Sequence, residues 1–504
     1  MIRRLLTRLR NVVRGLVPGG GLRERTVKSG IWMTAMNVGD RALQLALLVV
    51  LANLLDPADF GLMGLALVTI HGLQRFTHLG LDEALIQDRE DDIDDYLDTA
   101  WMLNLGRGVL IGGVAFLAAP FVASFAGEPR ATPILQVIGL SPILLQLRNP
   151  GAVYFKKDLA FEKQFLYKMG GSIANFTVAL SLALLWQNVW ALVFGYMASD
   201  AVRALFSYLL HDYRPWPAFD LDIAKNLVGY GKWLTGSRIL HFFINEGDDA
   251  IVVWILGAAS LGFYQIAYRF AMAPAQELTQ IVSSVMFPAY SKLQDDVETL
   301  RTAFLRTVRV TTFLSFPIGI GIAAVAPTFV AAFFGQRWAP MVPVMQIIAI
   351  NGLLISFTSA FGSVWMARDR PDYLVKVGLI RLPLMLLAII PATRAYGITG
   401  AAAAVVGVYV VAILPLDIHL VVKTVETTYR RILGEVVYPF AASLVMGAVV
   451  WTVQARLDLG LPVVEFGLLV VVGGLVYVAA AAVLARQFEW GLERNIRQML
   501  DAVS

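Results

Sequence analysis

Hydrophobic residues run along this chain in blocks of about 20 or more, the length needed to cross a hydrocarbon core, separated by short polar stretches. Fourteen such blocks can be marked: 29–54, 58–80, 97–122, 131–152, 164–185, 189–210, 228–256, 258–286, 304–333, 340–366, 373–392, 396–420, 432–455 and 462–485. Together they predict an all-α, polytopic membrane fold of about fourteen transmembrane helices. The first and seventh blocks are the least uniform, because both carry charges.

The pattern repeats. "SGIWMT" (29–34) and "YGKWLT" (230–235) agree at Gly, Trp and Thr. Kept at the same offset without a gap, Leu55 meets Leu256, Gly61 meets Gly262 and Ala66 meets Ala267. Six spans precede the second copy, and six is even, so both copies enter the membrane from the same side. They are parallel repeats, related by an axis along the membrane normal, and repeats of this kind imply a substrate site at their interface. The expected organisation is a basic arm (1–28), an N-terminal six-helix lobe (29–210), a C-terminal six-helix lobe (228–420), two additional helices (432–485) and a tail (486–504).

Composition agrees with the membrane reading. Of the 504 residues, 58% are hydrophobic and 15% charged, with mean hydropathy +0.67; a soluble chain carries about 25% charge. There is no cysteine, which excludes disulfides and thiolate chemistry. A net charge of +4 gives no nucleic-acid signal. No P-loop is present, and His71, His78 and His241 have no metal-ligand spacing, so neither an ATPase nor a metal site is expected.

Charge placement sets the orientation. Outer connections carry only Arg130, Arg337, Arg394 and Arg456. Eight arginines lie in the spans: Arg41, Arg75, Arg107, Arg148, Arg203, Arg238, Arg269 and Arg381. The other lysines and arginines gather at inner ends, loops and tails, which places both termini in the cytoplasm of a cell membrane protein. In the arm, Leu5, Leu6, Leu9, Val12, Val13 and Leu16 recur at helical spacing beside five arginines. Either an amphipathic helix on an anionic leaflet or a disordered topology signal fits that pattern. The inner stretch "DEALIQDREDDIDDY" (82–96) holds eight acids and one arginine and reads as a solvated turn.

The seventh span raises a different question. "NEGDDAIVVWILG" (245–257) sets Glu246, Asp248 and Asp249 just before an apolar run. An ionised carboxylate at membrane depth costs a few kcal/mol or more. The gapless counterpart, "QLALLVV" (44–50), has no acid, so this stretch of the repeat does not demand them.

Gly231–Asp296 resembles the Wzx-type polysaccharide flippases of the multidrug/oligosaccharidyl-lipid/polysaccharide exporter superfamily. The residues that carry the resemblance are Asn245-x-x-Asp248, "LGFYQIAYRFAMAP" (261–274) and "FPAYSKLQDD" (287–296). "LDPADFGLMGLA" (55–66) and "GLDEALIQ" (80–87) are similar to the same family's first hairpin, so the resemblance spans nearly the whole chain from Lys28. It implies two six-helix lobes around a central cavity, two further helices, and export of a polyprenyl-linked saccharide. The chain departs from the family's common single carboxylate after the asparagine, because Glu246 and Asp249 flank Asp248.

On that reading the deep arginines line a cationic chamber for the carrier's pyrophosphate, since a planar guanidinium binds phosphate oxygens bidentately. The candidates are Arg41, Arg269, Arg238, Arg381, Arg107 and Arg75. Glu246 and Asp249 are expected to balance cavity charge, and Asp248 with Asn245 to have a structural or coupling role. No cofactor is expected apart from a coupling ion, Na+ or H+. The implied partners are a lipid-linked oligosaccharide, membrane lipids, a polysaccharide polymerase and glycosyltransferases, with no nucleic acid. The rival readings are a cation-coupled multidrug antiporter, which usually has twelve spans and a less basic cavity, and a membrane-bound saccharide polymerase or ligase, which needs a large outer loop.

Overall fold

The computed structural model describes residues 22–87, 93–158, 160–457 and 459–487. The arm's proposed helix and most of the tail lie outside the described residues, as do 88–92 of the acidic stretch. Every expected span has a helical counterpart. They are α1 (Leu22–Leu54), α2 (Pro57–Phe76), α3 (Asp94–Phe125), α4 (Ala131–Ile138) with α5 (Ser141–Gln146), α6 (Phe161–Trp186), α7 (Trp190–Leu210), α8 (Leu221–Leu256), α9 (Ala258–Ser291), α10 (Val297–Phe333), α11 (Met341–Ala367), α12 (Asp372–Val408), α13 (Leu414–Thr424), α14 (Tyr429–Gln454) and α15 (Pro462–Gln487).

Three details differ from expectation. Residues 22–28, assigned to the arm, already belong to α1. The fourth span is broken: α4 and α5 are followed by a bend of 77° into a short helical stretch at 150–157. The eleventh and twelfth spans are joined in α12, where only Gly397 (φ 62°, ψ −146°) leaves helical geometry. Its positive φ suits glycine, and it reverses the chain where a break was expected between 392 and 396. Among the described residues, eight helices are long and apolar enough to cross a membrane by composition alone. α2, α7, α8 and α9 are not among them, and α8 and α9 carry Arg238, Asp248, Asp249 and Arg269.

The chain divides into two compact units. The first holds the described residues up to Phe242 together with Gly257–Ala259, and the second holds Phe243–Leu256 and the described residues from Ser260 onward. In the first, α1 packs on α6, α2 on α4, α3 on α4 and α5, and α7 on α5 and α6. In the second, α8 meets α12 through Gly247 and Met385, and α9 meets α11 where Ser356 Oγ donates to the Ala275 carbonyl (3.4 Å). There α10 packs on α11, and α11 on α13. The same helix pairs are therefore used twice, as parallel repeats require. The side chain of Trp233, matched to Trp32 in the repeat, lies outside the described residues. α14 and α15 pack on α10 of the second unit, and Arg309 of α10 clasps both oxygens of Glu435 on α14 (2.5 and 2.9 Å).

A segment without helix, 211–220, precedes α8 and is tied to the first unit. Asn149 Nδ2 donates to the His211 and Tyr213 carbonyls (3.4 and 2.6 Å), and the Trp216 amide donates to Asp98 (2.8 Å). Asp220 Oδ1 then accepts from the Asp222 and Ile223 amides, which caps α8.

Small residues set the closest helix crossings, as is usual where lipid supplies no hydrophobic drive for association. A Cβ on Gly112 of α3 would stand 2.7 Å from the Gly139 carbonyl, at the end of α4, whereas one on Gly113 would meet nothing within 4 Å. Gly112→Leu is expected to lower the apparent Tm of the purified protein, by an overpacking loss of about 1–3 kcal/mol, and Gly113→Leu to leave it unchanged. Equal melting of the two variants would refute the close crossing.

Candidate functional site

The candidate residues fall into two clusters, each within one unit. In the first unit, Arg107 of α3 donates through Nη2 to the Gln74 carbonyl (2.7 Å) and through Nε to Thr77 Oγ1 (3.2 Å). It neutralises the carbonyl end of α2, where a cation is favoured by the helix dipole. Arg75, in the last turn of α2, is exposed. Arg238 of α8 pairs with Glu83 (2.7 Å), and Arg148 pairs with Asp82 (2.6 Å). Both acids open the short helix Leu81–Gln87, the start of the stretch expected to be a solvated turn. That expectation is corrected at these two residues, because each carboxylate compensates an arginine that has left bulk water. Arg238, a phosphate candidate in the sequence, is engaged by Glu83.

His78 sits beside this network, 3.9 Å from Glu83, and its Nδ1 accepts from the Gly80 amide (3.0 Å). Burial, then the Arg238 guanidinium, hold its pKa below the ordinary imidazole value. Burial opposes ionisation of Asp82, but the Arg148 guanidinium more than offsets it and leaves that pKa below the ordinary carboxylate value.

Arg41 of α1 is half-buried and follows Asp40. Asp40 accepts from Ser172 Oγ (2.5 Å) and pairs with Lys168 Nζ (3.0 Å), both on α6. Ser141 donates to Asp200 of α7, which also lies 3.8 Å from Arg203. Neither acid was singled out in the sequence, although each is an isolated carboxylate in an apolar block. The gapless offset aligned Asp248 with Leu47 and passed over Asp40, two helical turns earlier. The first unit therefore does carry a buried acid on its first helix.

In the second unit, Asp248 is buried and accepts from Tyr264 Oη (2.7 Å), while Asp249 accepts from Gln265 Nε2 (2.7 Å). Arg269 and Glu246 lie within electrostatic reach of Asp249, and Arg381 within reach of Asp248 and of buried Asp417. The Arg381 guanidinium stands 5.3 Å from the centre of the Tyr409 ring, whose hydroxyl is 2.6 Å from Thr358 Oγ1. Asn245 and Arg269 are exposed. The structure thus brings Glu246, Asp248, Asp249, Arg269 and Arg381 together, and separately Arg107 and Arg238. Asp417, Tyr264 and Tyr409 join the second cluster without having been marked in the sequence. Among the described residues, no group of three His, Asp or Glu side chains is placed to hold a metal ion.

A multi-pass helical membrane protein built from two internally similar units, with ionised groups sunk in its helices, has the architecture of a transporter. Known proteins agree. The sequence profile described as polysaccharide biosynthesis protein matches residues 50–343, and the chain belongs to that family. It is 29% identical over 426 residues to the lipopolysaccharide biosynthesis protein WzxC of Escherichia coli (strain K12), covering 84% of this chain and 86% of WzxC. Among solved structures it is similar to the lipid II flippase MurJ in an inward closed conformation (TM-score 0.73, 13% identity, 91% of this chain and 99% of MurJ). It is also similar to an inward-facing multidrug resistance MATE family transporter (TM-score 0.64, 16% identity, 77% of this chain and 96% of the transporter). At these identities the two structures establish the fold.

The histidine environments give a pH dependence. His78, and His211 through burial and then Lys163, are held below their ordinary pKa. The folded state then binds fewer protons than the unfolded one. The stability contributed is complete above about pH 6.5 and is lost as pH falls through the folded-state value. The apparent Tm should drop between pH 7.5 and pH 5.5, and His78→Gln should shrink that drop. An unchanged or larger drop in the variant would contradict the environment described for His78.

Proposed function

We propose that the chain is a flippase that carries a polyprenyl (pyro)phosphate-linked oligosaccharide from the cytoplasmic to the outer leaflet by alternating access, for assembly of a cell-surface polysaccharide or glycan. The observation that carries this reading is the similarity to WzxC across most of both chains. It is a transporter rather than an enzyme. The expected outer connections are short, such as Ala126–Arg130 and the single Gly257, and leave no room for a polymerase or ligase centre.

The arginines then divide by role. Arg107 and Arg238 are engaged by α2 and Glu83 and serve the first unit's architecture. Arg269, Arg381, Arg41 and Arg75 are the phosphate candidates, with exposed Arg269 the foremost. Asp249 sets the charge around Arg269, and Asp248 with Asn245 is the candidate for coupling to Na+ or H+. The basic inner loops support a cytoplasmic membrane location with both termini inside. Glycosyltransferases would supply the cargo and a polymerase would consume it. The similarity to a MATE transporter favours a cation-coupled drug antiporter as the second reading.

Arg269→Ala should reduce saccharide export roughly 10- to 100-fold, the worth of one charge-assisted contact, with unchanged protein level. Lys should rescue poorly, because it lacks the planar fork. Normal export by both Arg41→Ala and Arg269→Ala would sink the phosphate role. Export restored to Arg269→Ala by adding Asp249→Asn would make Arg269 a charge partner only. Drug resistance without saccharide export would favour the antiporter.

A further inference from the structure

The segment 211–220 and the first residue of α8 present an apolar patch on the first unit. Trp216 is 73% exposed, Phe219 53% and Leu221 60%. The backbone beneath them is pinned. Besides its ties to Asn149 and Asp98, the segment is held where the Asp220 amide donates to Thr99 Oγ1 (3.0 Å) and where Tyr213 Oη donates to Asp98 (2.8 Å). Large apolar side chains grouped on a fixed backbone mark a surface for a partner.

Charge selects the partner. The patch lies at the expected inner ends of the sixth and seventh spans, where the leaflet is anionic and attracts Lys and Arg. Its neighbours are acids instead: Asp212, Asp220 and Asp222 beside the aromatics, and Asp94, Asp95 and Asp98 in the first turns of α3. Asp94 and Asp212 are both within electrostatic reach of His211, and Tyr213 joins Asp98 to the segment, so the two groups form one surface. Asp98 and Asp220 are held by hydroxyl and amide donors, which orient a carboxylate without cancelling its charge. The same stretches, 94–99 and 211–225, carry two cations, and both are engaged. Arg214 Nη1 donates to the His211 and Tyr213 carbonyls (2.7 Å each), and Lys225 pairs with Asp222 (3.3 Å). A surface of this sign is repelled by anionic headgroups and suits a partner that is both basic and apolar.

The chain carries such a partner. Residues 1–21 hold Arg3, Arg4, Arg8, Arg10 and Arg14 beside Leu5, Leu6, Leu9, Val12, Val13 and Leu16, and the first acid is Glu24. The arm is also within reach. Trp32 of α1 stacks near Phe165 of α6 (5.0 Å), and Phe155 lies between Tyr167 of α6 (6.4 Å) and His211 (6.2 Å), so α1 is a few side chains from the start of the segment. From Trp32 back to Leu22 the helix rises about 15 Å. Pro18–Gly21 adds about 13 Å of extended chain, enough to let the arm turn back along the inner end of the unit. Tethering gives it an effective concentration in the millimolar range.

We propose that the N-terminal arm docks on this face of the first unit, its arginines on the aspartates and its leucines and valines on Trp216, Phe219 and Leu221. The contact is an intramolecular latch across the inner end of the unit, and it does not depend on what the protein carries.

The test uses the full-length protein in phosphatidylethanolamine–phosphatidylglycerol nanodiscs. The chain has no cysteine, so introduced pairs report alone. Leu5→Cys, Leu9→Cys and Val13→Cys are each combined with Ala218→Cys, oxidised, and the disulfide-linked peptides quantified by mass spectrometry. At least one pair is expected to cross-link efficiently. Asp95→Lys, Asp212→Lys and Asp222→Lys together should cut the yield about tenfold, the worth of three exposed ion pairs. Adding Arg4→Glu, Arg8→Glu and Arg10→Glu to that variant should restore it. Trp216→Ser with Phe219→Ser should also lower it, by the lost apolar contact. Absence of cross-linking in all three pairs would overturn the proposal, and quenching of a fluorophore on Leu9→Cys by a lipid-borne quencher would then place the arm on the leaflet. A yield indifferent to the aspartate changes, or one that the reversed arm fails to restore, would overturn it equally. The readout involves no transport, so its failure leaves the flippase reading untouched.

Discussion

A charge inside an apolar helix bundle must find compensation within a few ångströms, because leaving one buried charge unpaired costs about 3–5 kcal/mol. That constraint organises this protein more than any single contact. Arg238 reaches Glu83, Arg148 reaches Asp82, Asp40 takes Lys168, and Arg309 clasps Glu435. Each bond joins segments distant in sequence, so each fixes which helices can be neighbours. Apolar packing then fills in around them, as in the aromatic core of Phe304, Phe316, Phe357, Phe361 and Trp365.

The two units apply the same scheme with different outcomes. In both, an acid on the first helix lies near a cation of the fifth span: Asp40 pairs with Lys168 at 3.0 Å, while Asp248 is within electrostatic reach of Arg381 without an ion pair. In both, the sixth span contributes a buried acid, Asp200 or Asp417. The first unit satisfies these groups locally, through Ser172 and Ser141. The second concentrates three carboxylates and two arginines along α8, α9 and α12, with tyrosine hydroxyls among them. Such a collection is a costly way to hold helices together, and it is the reason the transport role is proposed for the charges of the second unit.

Much of this was legible in the sequence. Long apolar blocks located the helices because membrane spans must be uniformly apolar over a fixed length. The break between 392 and 396 was visible for the same reason. The kinked fourth span was not, since hydropathy does not register a bend. The partners of Arg238 and Arg148 were not legible, because both sit in a short acidic helix that composition alone reads as solvated. Asp40, Asp200 and Asp417 were missed because a single carboxylate in an apolar block is conspicuous only when its surroundings are known, and those include residues far along the chain: Lys168 for Asp40, Ser141 for Asp200 and Arg381 for Asp417. The triad at 246–249 stood out because three acids in four residues cannot be explained by local structure.

The central claim is that the charges of the second unit are electrostatically coupled to one another across its helices. A double-mutant cycle on Asp248→Asn and Arg381→Gln, read by thermal unfolding of the purified protein, tests it most directly. Each single variant is expected to lower the Tm, and the double variant to lose less than the sum, with a coupling of about 0.5–3 kcal/mol. Strictly additive losses would mean that Asp248 and Arg381 do not compensate each other, and would contradict the account.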